Sequence, residues 1–165
     1  MGGKKIVDPM FWDNKLVSEQ MTSEEKLFYL FLITNPDLRQ LGIYNLPISK
    51  AAYYLGFKPS KVKEYLDKFQ NEYHLLRYNE DTNEIAIRNY LRHGVLKGGK
   101  PLKDCLSVDA NNVKDKELLI YIKEEYCNSS GKPNEVVDSF IKYDLDTFLD
   151  DEQTEDENYD GYEYR

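Results

Sequence analysis

One predicted helix of this 165-residue chain carries polar and basic side chains along one side. The spacing of Val62, Leu66 and Phe69 turns these three residues inward, so Glu64, Asp67 and several hydroxyl, amide and lysine groups face outward. Such groups hydrogen-bond DNA phosphates and base edges, and a carboxylate can accept from cytosine N4. The pattern predicts a helix that enters a duplex groove. The candidate DNA-binding residues are Lys50, Lys58, Ser60, Lys61, Lys63, Lys68, Asn71, Arg77, Arg88 and Arg92.

The segments around this helix predict how it is held. A short strand at 41–46 leads into an amphipathic helix that ends at Gly56, a residue suited to a left-handed helix terminus. A second helix begins at Ser60, whose hydroxyl is expected to cap its first free amides. Two β-rich segments, 75–78 and 85–90, flank a polar turn and form a hairpin. This order predicts a mainly helical α+β fold, a winged helix-turn-helix with extra C-terminal helices. The same fold used only for protein contacts is the alternative.

Charge is distributed unevenly along the chain. Residues 1–93 hold 13 Lys+Arg and 12 Asp+Glu, residues 94–133 hold 7 and 6, and residues 134–165 hold 2 and 12. The net charge of −8 therefore belongs to the last segment, and the near-neutral remainder does not exclude DNA binding. The predicted organisation is a winged-helix domain with an N-terminal arm at 1–93, a basic linker and helical extension at 94–133, an acidic amphipathic helix at 134–149 and a disordered acidic tail at 150–165.

The arm and the first long helix supply candidate contacts of a different kind. Phe11 and Trp12 are expected to pack on the domain, and the alternative is an exposed anchor for self-association. Thr22 and Glu25 have the spacing of a capping box ahead of an apolar run. That run predicts a central helix that is buried nearly all round and ends at Asn35.

The extension contains two further helical segments and one amphipathic stripe. Residues 102–113 predict a broken helix and residues 116–127 a clearer one. The stripe in 134–149 is expected to dock on its own domain or pair with another copy. The alternative is docking into a groove on a partner protein. The candidate partner-binding residues are Phe11, Trp12, Val137, Phe140, Ile141, Leu145 and Phe148.

Enzymatic chemistry has little support in the sequence. His74 and His93 have no Cys, Ser or carboxylate constellation around them, and no phosphate-binding glycine loop is present. Cys105 and Cys127 are far apart, so they predict free, mostly buried thiols rather than a disulfide or a metal site. No cofactor, metal or membrane span is expected, and the predicted location is cytoplasmic.

Six short segments of the chain form a distinctive set. They are Asp8-Pro9-x-Phe11-Trp12-x-Asp13, Thr34-Asn35-Pro36, Leu41-Gly42-Ile43-Tyr44-x-Leu46-Pro47-Ile48, Leu76-x-Tyr78-Asn79, Ile85-x-Ile87-x-Asn89-Tyr90-Leu91 and Val113-Lys114-Asp115-Lys116. Together these segments resemble the amino-terminal domains of DnaD-type primosome proteins and phage replisome-organiser proteins. The resemblance implies a winged helix that recognises duplex DNA at a replication origin, self-associates and helps to load the replicative helicase.

The chain departs from that family after residue 133, where relatives continue into a second helical domain and this sequence runs into the acidic stripe and tail. We therefore expect a non-enzymatic replication-initiation protein of phage or mobile-element type, acting in the bacterial cytoplasm. Its expected partners are duplex DNA, further copies of itself and a helicase loader or another replication protein. The alternatives are a winged-helix transcriptional regulator, and a protein-interaction module or antagonist that acts through the acidic tail.

Overall fold

The computed structural model describes residues 4–94 and 99–150. Seven α-helices, three strands and short turns of other helix types occur in these ranges. The helices are α1 (Ser23–Thr34), α2 (Ile48–Leu55), α3 (Pro59–Asn71), α4 (Tyr90–His93), α5 (Lys100–Asn112), α6 (Lys116–Asn128) and α7 (Glu135–Ser139), and the strands are β1 (Ile43–Asn45), β2 (Leu76–Asn79) and β3 (Glu84–Ile87). The predicted α+β class is confirmed.

The strands form one antiparallel sheet in the order β1-β3-β2. Ile85 lies opposite Tyr44 on one neighbour and Tyr78 on the other. Because side chains alternate along a strand, Ile85 faces one side of the sheet while Ala86 and Ile43 face the other. The sheet therefore separates two hydrophobic cores, one shared with α1–α3 and one shared with α5–α7.

Helix α1 begins at the predicted capping box. The Thr22 hydroxyl accepts from the amide of Glu25, and the Glu25 carboxylate accepts from the amide of Thr22. The prediction that α1 is buried nearly all round is wrong. Phe28 and Leu32 are fully buried, but Leu27 is 49% exposed because α3 covers only one stripe of the helix.

Helices α2 and α3 are joined by the predicted tight turn. Gly56 ends α2 at φ +67, in the left-handed region that favours glycine. The prediction that Ser60 caps α3 is wrong. Pro59 already occupies the first helical turn, where its fixed φ is favourable, so the N-cap position falls to Lys58 and no side chain caps the helix.

The extension packs against the face of the sheet opposite α1–α3. Leu41 and Leu91 meet Leu106 and Leu118 in the second core, so residues before and after position 93 share it. Helix α5 is continuous rather than broken, because its buried positions recur every four residues along one face. They are Leu102, Leu106 and Ala110.

The sheet also fixes where α6 begins. The buried Glu84 carboxylate accepts hydrogen bonds from the amides of Lys114 and Asp115, at 2.9 and 2.8 Å. Asp115 in turn caps α6 by accepting from the amide of Glu117 at 3.0 Å. Amides that precede a helix are thus paired with a carboxylate from β3, which ties the extension to the hairpin.

The stripe predicted at 134–149 is part of the second core. Helix α7 continues into a π-helical turn at Phe140–Asp144 and a 3-10 turn at Leu145–Phe148. The segment docks on its own domain, as one of the interpretations from the sequence had it. Four of the proposed partner-binding residues are therefore buried within their own chain. Those four are Val137, Phe140, Ile141 and Leu145, and Phe148 is half-buried beside them.

Two sequence predictions fall partly outside the described ranges. The basic linker includes residues 95–98, and nearly all of the acidic tail lies at 151–165. Within the described ranges, no helix combines the length and the apolar character required to cross a bilayer.

Candidate nucleic-acid interface

Helix α3 presents the face that the sequence predicted. Val62, Tyr65, Leu66 and Phe69 are buried against α1, α2 and the sheet. The opposite side is exposed to solvent, which confirms the helical-wheel assignment. The exposed residues on it are Ser60, Lys63, Glu64, Asp67 and Asn71.

The charges on this face are partly paired. Lys61 lies 3.4 Å from the Glu64 carboxylate and 4.7 Å from the ring centre of Tyr65. The Asn71 amide donates to Asp67 at 2.8 Å. Two further lysines of the set, Lys58 and Lys63, are exposed, and neither is paired with a carboxylate in the described part of the chain.

Two predicted DNA-binding lysines are paired with carboxylates of their own chain. Lys68 donates to the buried Glu25 carboxylate at 2.6 Å and lies over the ring of Tyr73. Lys50 forms an ion pair with Asp37. Because Lys68 neutralises a carboxylate that is 3% exposed, releasing it to a phosphate would leave a buried charge unpaired. The structure therefore gives Lys68 a partner within its own chain, and its contact with DNA stays a prediction.

The three arginines in the predicted DNA-binding set contact α6. Arg77 stacks over Tyr121 with its guanidinium carbon 4.8 Å from the ring centre, and Arg88 pairs with Glu125. Arg77 is opposite Ala86 in the register and shares its side of the sheet, away from α3. These cations hold the extension in place, and they do not lie on one surface with the lysines of α3.

Arg92 is the arginine most fully engaged in contacts with α6 and the residue that follows it. Its guanidinium carbon lies 3.6 Å from the ring centre of Tyr126, and it donates to the Tyr126 carbonyl at 3.0 Å and to the Ser129 hydroxyl at 3.2 Å. The side chain is only 13% exposed. Burial and the hydrogen bond to Asp138 raise the pKa of Tyr126, against the opposing effect of Arg92.

We predict that Arg92→Ala lowers stability without weakening duplex binding. Loss of two hydrogen bonds and of the stacked side chain should cost about 1.5 kcal/mol. Urea unfolding followed by circular dichroism measures the loss, and titration of a labelled duplex checks that affinity changes less than twofold. An unchanged midpoint with weaker duplex binding would restore Arg92 to the interface.

A second feature of this surface was not recognised from the sequence. Residues 38–63 contain five Lys+Arg and no Asp or Glu. Tyr53 and Tyr54 lie within that stretch on the outer side of α2 and are 84% and 57% exposed. The absence of Asp and Glu over 26 consecutive positions could have identified this surface from the sequence. The exposure of the tyrosines was not expected, because aromatic residues are usually buried.

The arm divides the two predicted partner residues. Phe11 is half-buried against Tyr29, with ring centres 5.4 Å apart. Trp12 packs edge-on against Phe11 at 5.1 Å and remains 55% exposed. Of the two predicted residues, Trp12 therefore offers the exposed surface that an anchor for self-association needs.

The cysteines and the metal-binding side chains give no further site. Cys105 and Cys127 are free, as predicted, but both are exposed, so the expectation of buried thiols is wrong. Cys105 lies on the outer side of α5, and the spacing of the buried leucines leaves it there. Within residues 4–94 and 99–150, no three His, Cys, Asp or Glu side chains are grouped as a metal ion would require.

The exposed groups of α3 and α2 are therefore the surface best suited to a nucleic acid in the described structure. Comparison of the chain with protein-family models, with curated proteins and with solved structures gives no match.

Proposed function

We propose that this protein binds duplex DNA through a winged helix-turn-helix and acts in replication initiation. The main support is the exposed face of α3, which follows a turn after α2 and carries hydroxyl, amide and ammonium groups. In a helix-turn-helix the second helix lies in the major groove. The β2–β3 hairpin would be the wing.

The residue roles follow from exposure and pairing. Lys58 and Lys63 contact phosphates on the two sides of the groove, since both are exposed without a carboxylate partner in the described residues. Ser60 donates at the N-terminal end of α3, where free backbone amides also favour a phosphate. Glu64 faces outward and can accept from cytosine N4.

The β2–β3 hairpin contributes little to the proposed binding of DNA. Its tip carries the exposed acids Glu80 and Asp81, and Arg77 on β2 is stacked on α6. Fewer phosphate contacts give weaker binding with a smaller salt dependence. We therefore propose an interface that is centred on α3 and the α2–α3 turn.

The replication role rests on the resemblance described above to DnaD-type and phage replisome-organiser proteins. Under this proposal the chain marks a duplex site at an origin, associates with further copies and recruits a helicase loader or another replication protein. Exposed Trp12 is the candidate contact for a second copy. Footprinting distinguishes an origin from a promoter, because protection of repeated sites within a replication gene fits the first and protection upstream of a transcription start fits a regulator.

The test is reversal of the two unpaired lysines. The double variant Lys58→Glu, Lys63→Glu should bind duplex at least tenfold more weakly at ~100 mM salt. The slope of log affinity against log salt should fall by about 2, because two phosphate contacts are lost. Fluorescence anisotropy of a labelled duplex at several salt concentrations measures both quantities.

Lys142→Glu is the matched control. Lys142 is exposed in the turn after α7, where its only described contact is the neighbouring Tyr143 ring, and its reversal changes net charge in the same direction. If the control and the double variant lost equal duplex affinity, the loss would be due to the change in net charge and not to specific contacts. Unchanged affinity in the double variant would remove the proposal.

One observation favours a different function. Glu64 and Asp67 are exposed on α3 and Glu72 is exposed directly after it. Arg77 and Arg88 of the hairpin contact α6. A face with these acids suits a basic protein partner, which would make the chain an interaction module or an antagonist. Absence of duplex binding by the wild-type chain at ~50 mM salt, where phosphate contacts are strongest, would favour this second function.

A further inference from the structure

Two adjacent tyrosines project from the outer side of α2. Tyr53 is 84% exposed and Tyr54 57%, although most aromatic side chains of the described residues pack in or against a core. The two ring centres are 5.8 Å apart with an interplanar angle of 76°. Tyr54 is supported from behind by Phe31 of α1 at 6.1 Å. The ring of Tyr53 therefore stands free beside a braced neighbour.

The surroundings of this pair are basic in sequence. No Asp or Glu occurs from residue 38 to residue 63, and the stretch holds five Lys+Arg. Lys50 lies one turn before Tyr54 on α2 and Lys58 follows it by four residues. Four residues of chain span at most about 14 Å, so a flexible lysine at 58 can reach a ligand that touches the rings. The Lys50–Asp37 ion pair is exposed on both sides, which leaves it open to exchange with a phosphate.

The combination of free aromatic faces and lysines is the chemistry that holds unpaired nucleotides. Bases stack on aromatic side chains without regard to sequence, and cations follow the backbone. A duplex cannot use such rings, because its base faces are already stacked on one another. A protein partner fits less well, because lysines are depleted from protein interfaces and these rings stand on a convex helix rather than in a groove.

We propose that Tyr53 and Tyr54 form a stacking site for single-stranded nucleic acid, with Lys58 and Lys50 contacting its phosphates. This activity goes beyond duplex recognition and uses α2 rather than the outward face of α3. A protein with both surfaces could hold a duplex and a neighbouring unpaired strand together.

The test compares one labelled oligothymidine of about 15 nucleotides with one labelled duplex. The double variant Tyr53→Ala, Tyr54→Ala should bind the oligothymidine at least tenfold more weakly, while its duplex affinity changes less than twofold. Tyr53→Phe with Tyr54→Phe keeps the rings and should retain affinity within about threefold. Circular dichroism and the thermal midpoint check that each variant is folded.

Tyr143→Ala is the matched control, because Tyr143 is 65% exposed and has Lys142 over its ring at 4.9 Å. It should leave the binding of both nucleic acids unchanged. The proposal is overturned if wild type does not bind the oligothymidine, if the control loses as much affinity as the double variant, or if duplex binding falls in parallel. It is also overturned if sedimentation shows that the tyrosines hold two copies together.

The result is separable from the test of duplex binding. Lys58 is assigned to both sites, whereas Lys63 on α3 belongs only to the duplex site and the two tyrosines on α2 belong only to the single-strand site. The single variant Lys63→Glu should weaken duplex binding and leave the oligothymidine affinity within about twofold.

Discussion

Phe140→Ala should destabilise this protein by about 3–5 kcal/mol, the usual cost of removing a fully buried aromatic side chain. Phe140 is 0% exposed in the second core, with the ring of Phe148 at 6.3 Å. Truncation leaves a cavity between α5 and the turn that follows α7, because neighbouring side chains relax only partly. Urea unfolding followed by circular dichroism measures the change, and the thermal midpoint should fall by about 10 °C.

Tyr143→Ala on the same turn provides the comparison. Its side chain is 65% exposed, so truncation should cost less than about 0.5 kcal/mol. Similar small losses in both variants would mean that residues 134–149 detach easily, and docking of this segment on a partner protein would again be the better interpretation. A large difference instead places the segment in the fold itself.

Helices α2 and α3 and the turn between them could be predicted because their determinants are local. Gly56 is required where the backbone turns left-handed, and the apolar spacing of α3 is set by one helix alone. The capping box at Thr22 and Glu25 is another case in which both partners lie within four residues. A local rule was wrong where two of them competed, as at Ser60, which Pro59 displaced from the cap position.

The roles of the arginines could not be predicted because their partners are distant in sequence. Arg88 and Arg92 contact residues 37 and 34 positions away on α6. A basic side chain after a strand looks the same in sequence whether it serves a phosphate or an aromatic ring of its own chain. The exposed face of α3 was therefore predicted correctly, because exposure follows helix periodicity. The contacts of the arginines on the sheet were missed, because the packing of α6 decides them.

The stripe at 134–149 illustrates a different limit. An amphipathic pattern specifies that one face is buried but not what buries it. Val137 and Leu145 pack with residues of α5 and α6 of the same chain. The same amphipathic pattern would also suit a groove on another protein, so the sequence could not distinguish the two. The reverse error concerns Leu27, which is apolar and yet exposed because no neighbouring element covers it.

Glu25→Gln should lower the free energy of unfolding by about 2 kcal/mol at neutral pH, because this buried carboxylate accepts hydrogen bonds from three donors. It accepts from the Thr22 amide at 2.9 Å, from Lys68 at 2.6 Å and from the Tyr73 hydroxyl at 3.0 Å. The neutral amide loses the ion pair with Lys68 and cannot accept from all three donors. This cost is below that of a fully buried ion pair because Lys68 remains 31% exposed to water.

The pH dependence of this loss follows from the pKa of Glu25. Burial alone would raise that pKa, but the hydrogen bonds from Lys68, Thr22 and Tyr73 outweigh burial and hold it below its ordinary value. A carboxyl whose folded pKa is depressed stabilises the fold above its unfolded pKa, about 4.3, and this contribution disappears as pH falls through the folded value. The difference in unfolding free energy between wild type and Glu25→Gln should therefore be constant from about pH 6 to 8 and shrink below about pH 4.3.

Glu19→Gln makes the same charge change at an exposed position and should leave the free energy of unfolding within about 0.5 kcal/mol of wild type. Urea titrations of the three proteins at a series of pH values measure the effect. If the wild-type advantage over Glu25→Gln persisted unchanged below pH 4, the carboxylate would not be the charged partner of Lys68. The lysine would then be free to contact a phosphate, as its position on α3 first suggested.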